Sequence, residues 1–127
     1  MFNNCTLSIG PLDDRVLSRL ADSVGGDMAI VSELIDQFLT DAPALVETAR
    51  AGVVSGDADE VRRALHTLTS NAATFGATDL AVSIRQLEEL AKSGSLDDVG
   101  PRLDPIAEQL ERVSEALAAS RFHARET

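Results

Sequence analysis

His66 is the side chain in this sequence best suited to nucleophilic chemistry. A neutral imidazole keeps a lone pair on one ring nitrogen, and that lone pair can attack phosphorus. Arg62 and Arg63, immediately upstream, form the only adjacent basic pair in a chain of formal net charge -10. With ~100° of turn per residue, the apolar stripe Val61, Leu65, Leu68, Ala72 and Phe75 sets a buried direction, and His66 falls roughly 140° away from it, toward solvent. On that same side the spacing places Arg62 one turn before the histidine, Thr69 and Ser70 one turn after, and Ala73 beyond them. The downstream neighbours are small, so the ring stands over a shallow platform that another protein can approach closely. No Gly-rich phosphate loop or metal-ligand spacing accompanies it. A lone exposed nucleophile works when a partner supplies the rest, because phosphoryl transfer is mostly positioning and charge neutralisation. An exposed helix histidine is also an ordinary solvated residue, and these residues alone do not choose between the two readings.

The elements that must position His66 are helices throughout. After a lead-in over residues 1–11, a first helix is expected from Leu12 or Asp13, with Val16, Leu17 and Leu20 on one face and Gly25 and Gly26 ending it. Asp27 caps a second helix carrying Met28, Val31, Leu34, Ile35, Phe38 and Leu39. Asp41 and Pro43 interrupt that pattern and predict a fresh segment with Leu45, Val46, Ala49 and Val53, stacked on its predecessor as a kinked rod. Asp57 and Glu60 resemble a capping box for the histidine helix, which stops at Gly76, a left-handed C-cap. Leu80, Ile84, Leu87 and Ala91 line the next helix, antiparallel to it. A last one is expected with Asp104 as cap and Pro105 first, carrying Leu103, Ile106, Leu110, Val113 and Leu117 at alternating steps of three and four. The tail 121–127 reads as frayed. No strand-like alternation persists, so the fold class is all-α, an antiparallel four-helix bundle with an additional N-terminal helix over residues 12–120.

Ala64 to Ala77, ALHTLTSNAATFGA, resembles the signature AHxLKGSSxxxGA of histidine-containing phosphotransfer (HPt) domains, the carriers of multistep two-component relays. His66, Leu68, Gly76 and Ala77 match it at the right spacing. The flanks FLTDAPALVETARAG and LAVSIRQLEELAKSG are similar to the family's preceding and following helices, so the resemblance spans about residues 12–119. It implies a monomeric phosphocarrier without kinase activity of its own, with His66 as phosphoacceptor. Its donors and acceptors would be aspartates of response-regulator receiver domains, including those of hybrid sensor kinases. No cofactor of its own is implied; a divalent metal such as magnesium belongs to the partner receiver. The resemblance places Glu88 where many members present a polar residue beside the histidine, to accept the proton of its second ring nitrogen. It departs at Thr69, where the family usually has lysine, and at Ser70, in the adjacent glycine position. Arg62, Arg63 and Lys92 are the candidates to supply the missing positive charge, and loss of that lysine leaves a non-transferring, HPt-like interaction module as the alternative.

Composition agrees with that picture. At 127 residues, with Phe2, Phe38, Phe75 and Phe122 as the only aromatics, the chain suits one aliphatic helical core. Its acidity opposes binding to nucleic acid and to anionic membranes and points to protein partners. The single cysteine, Cys5, excludes an internal disulfide. No export signal or span of ~18 apolar residues appears, so a cytoplasmic location is expected. A kinase dimerisation hairpin usually follows its histidine with an acidic residue and then a proline, whereas Thr67 follows His66 and the next proline is Pro101. A di-iron bundle needs repeated Glu-x-x-His, which is absent. His123 has no motif around it.

Overall fold

The computed structural model describes residues 11–126, with side chains from residue 11 to residue 120. Most of the lead-in, with Cys5, and the side chain of His123 lie outside the described residues. Six α-helices follow in order: α1 (Asp14–Ser23), α2 (Met28–Ser55), α3 (Ala58–Thr74), α4 (Thr78–Lys92), a short α5 (Leu96–Val99) and, after a 3-10 turn (Gly100–Arg102), α6 (Leu103–Glu126). The long helices α2, α3, α4 and α6 form the four-helix bundle, and α1 lies across α2 and α3 as the additional helix.

Local chemistry sets most boundaries. Asp13 caps α1 by accepting from the Arg15 amide, Asp27 caps α2 through the Ala29 and Ile30 amides, and Asp57 caps α3 through the Glu60 amide. Each satisfies a donor that the first helical turn cannot pair internally. Met28, expected on the apolar face of α2, is exposed in its first turn.

Pro43 does not divide α2. The helix runs unbroken for 28 residues with Pro43 inside it. A proline interior to a helix costs about 3 kcal/mol through its missing amide and ring clash. Here its ring is exposed, while Phe38, Ala42, Val46 and Ala49 of the same helix are buried. Fully burying a Val or Phe is worth about 1.5–3 kcal/mol, so the buried face outweighs the local penalty.

The last helix also differs from expectation at both ends. It begins at Leu103 rather than Pro105, which leaves Pro105 within the first turn, where no amide partner is required. It continues past Ser120 to Glu126, so the segment read as a frayed tail prolongs α6.

The core is one aliphatic cluster drawn from all four long helices, with Ile35, Leu65, Leu68, Ile84, Leu103 and Leu117 fully buried. Phe38 and Phe75 meet in a tilted ring pair with centroids 5.1 Å apart. Two glycines set how closely elements approach. A Cβ on Gly52 would stand 2.6 Å from Val61 Cγ2, so its absence lets α2 and α3 draw together beside the Asp57 turn. Gly76, at φ +79°, closes α3 in a Schellman turn in which the Ala77 amide donates to the Ala72 carbonyl. Its own carbonyl accepts from the Asp13 amide at 2.7 Å, which ties the start of α1 to the end of α3.

Candidate functional site

His66 projects from the middle of α3 on the outer side of its seam with α4. Its side chain is 66% exposed, and Nδ1 lies 2.8 Å from Glu88 Oε2. Glu88 is only 16% exposed, because it sits in the groove where the two helices meet. An ionised carboxylate can only accept here, so Nδ1 carries a hydrogen and, in the neutral ring, Nε2 keeps its lone pair. The contact therefore fixes both the ring's orientation and its tautomer, leaving a nucleophilic nitrogen toward solvent.

Thr69 is not on the open platform. It is buried, at 6% exposure, on the flank of α3 that α4 covers. Its hydroxyl donates to the Leu65 carbonyl at 2.9 Å and stands 3.5 Å from Glu88 Oε1. Packing by the neighbouring helix overrides the single-helix wheel that placed Thr69 beside the histidine. The hydroxyl closes off the inner oxygen of Glu88, while the outer oxygen holds His66.

The remaining expected residues divide between open surface and scaffold. Ser70 and Ala73 are exposed and small. Arg63 and Lys92 are exposed and Arg62 half-buried, and among the described residues none of the three forms an ion pair. Lys92 lies one turn beyond Glu88 on α4, near the level of Arg62 in the antiparallel register. Gly76 is buried at the end of α3 and acts through its backbone, away from the ring.

One cation escaped the sequence reading. Arg85, exposed on α4, precedes Glu88 by three residues as Lys92 follows it by four, so the two bracket Glu88 along one helix face. That spacing was the available signal, usable once Glu88 was tied to the histidine. Among the described residues no group of three or more His, Cys, Asp or Glu side chains is placed to hold a metal, and no helix is long and apolar enough to cross a membrane.

The site is thus an exposed histidine held by a carboxylate across two helices of a bundle. The Hpt domain family model matches residues 33–117, and the chain belongs to that family. The fold resembles the crystal structure of histidine-containing phosphotransfer protein B (HptB) from Pseudomonas aeruginosa PAO1, with a TM-score of 0.80 and 26% sequence identity over 88% of this chain and 95% of that one. No curated protein matches the chain.

Proposed function

We propose that the chain is a phosphorelay intermediate in which His66 receives a phosphoryl group from the aspartate of one receiver domain and delivers it to that of another. The single observation that carries this reading is the 2.8 Å contact between Glu88 and Nδ1 on an otherwise open ring. In the loading step the Nε2 lone pair attacks phosphorus of the aspartyl phosphate, a P–N bond forms, and the P–O bond breaks to return a free carboxylate to the receiver. The ring gains positive charge, with its hydrogen still on Nδ1, and Glu88 compensates that charge. Unloading is the reverse step with a second aspartate. The chain supplies nucleophile, orientation and a flat approach; the receiver supplies its own divalent metal and basic residue. The protein works as a monomeric carrier with no kinase activity of its own, in the cytoplasm, where such partners reside.

Incubation with radiolabelled, phosphorylated receiver domains tests it. Label that is acid-labile and base-stable should move to the wild type and not to His66→Gln. A second reading, an HPt-like interaction module with weak or no transfer, draws support from Thr69, whose position offers a buried hydroxyl and no cation. Under that reading receivers bind both proteins equally and label neither.

A further inference from the structure

On the side of the bundle away from His66, α2 and α6 leave a groove of about 510 Å³ between them. Its floor is Leu39, Val46 and Leu110, and it stays open because the facing positions carry a rigid proline at Pro43 and short side chains at Ala107, Ser114 and Ala118. Helix α2 packs against α3 and α6, and α4 packs against α3 and more thinly against α6, so the α2/α6 seam is diagonally opposite the α3/α4 seam that bears the histidine.

Charge distinguishes the two seams. Through Ser120, α2 and α6 carry eight carboxylates against two arginines, whereas α3 and α4 carry five carboxylates against four cations, so the net negative charge of the four long helices sits mainly on the pair that forms the groove. Glu47, Glu111 and Glu115 rim the apolar floor. Arg50 is engaged with Glu47 and with Asp104, at 2.8 Å from the latter, which leaves Glu111 and Glu115 without an ion pair among the described residues. These two stand one turn apart on α6, a like-charge spacing that destabilises a helix.

We propose that this groove is a second docking site that takes an amphipathic helix of a partner protein, with a short apolar ridge on the floor and Lys or Arg against the unpaired rim carboxylates Glu111 and Glu115. The apolar floor supplies affinity and the rim selects charge and steers approach. A second copy of this acidic chain is the wrong partner for the same reason. Because the groove faces away from His66, a tethered carrier keeps its imidazole free for a receiver.

The test is titration of the ¹⁵N-labelled full chain with a peptide of about 18 residues bearing Leu at i, i+3, i+4 spacing and Lys elsewhere. The same composition with Leu scrambled off one face is the control. Amide shifts should cluster around Leu39, Val46, Leu110 and Ala118 and leave His66 and Glu88 unmoved. Binding should weaken at least tenfold in the double variant Glu111→Lys/Glu115→Lys and in Ser114→Phe, which fills the groove without changing charge. Equal binding of the scrambled peptide, or shifts spread over the acidic surface, would overturn the proposal. So would tighter binding after removal of residues 1–10, which would make the chain's own terminus the occupant, or a doubling of mass blocked by Ser114→Phe, which would make it a second copy.

Discussion

The proposed function turns on the pair formed by His66 and Glu88, which on that reading makes a common residue into a directed nucleophile. A hydrogen bond to a charged group contributes about 1.5–3 kcal/mol, roughly tenfold to a hundredfold in rate when it serves the reacting ring. Glu88→Ala should therefore slow loading from a phosphorylated receiver by about that factor while leaving receiver affinity nearly unchanged. Glu88→Gln keeps an acceptor but removes the charge, so rapid-quench rates falling between wild type and Glu88→Ala would separate orientation from charge compensation. Exposure of His66 was legible from the apolar period of its own helix. Burial of Thr69 was not, since it arises from α4 lying over one flank, and a wheel drawn for one helix contains no neighbour. Thr69→Lys places a flexible cation one turn from the ring at the cost of the hydroxyl's bond to Leu65; a longer phosphohistidine lifetime and a slightly lower melting temperature are expected.

Helix starts were readable at Asp27 and Asp57, where an aspartate accepts from a first-turn amide, and Asp13, expected within the start of α1, caps it in the same way. Asp57→Ala should cost about 1 kcal/mol, seen as a lower urea midpoint at unchanged slope. Continuity of α2 through Pro43 was not readable, because a local penalty was weighed without the long-range burial that outweighs it. Pro43→Ala should consequently stabilise the fold, by up to about 3 kcal/mol. Gly52 also escaped notice: nothing local marks a glycine within a helix as a contact point, and its use appears only where α2 meets Val61. Gly52→Ala should destabilise by about 1–3 kcal/mol through overpacking, measured by the same unfolding curves. Gly76 was identified as a helix stop, and the structure adds that a Cβ there would lie 2.7 Å from the Asp13 carbonyl oxygen. Gly76→Ala should loosen α1, with faster amide exchange in Asp14–Ser23.

The bundle itself was legible because four apolar stripes, few aromatics and short connections leave few other ways to bury one core. Its segregation of charge was not, since sequence order says little about which helices end up side by side. That segregation sets a comparatively balanced histidine face against an acidic back, and it favours approach of partners in a preferred orientation. The chain should sediment as a monomer whether or not it is phosphorylated. The chemistry at the centre of this function can be observed atom by atom, since the chain has two histidines, His66 and His123. Histidine-selective ¹⁵N labelling, followed by phosphorylation from a receiver domain, should show a phosphorus coupling on Nε2 of His66 and a hydrogen retained on its Nδ1. Phosphorus on Nδ1, on His123 or on no histidine at all would contradict it.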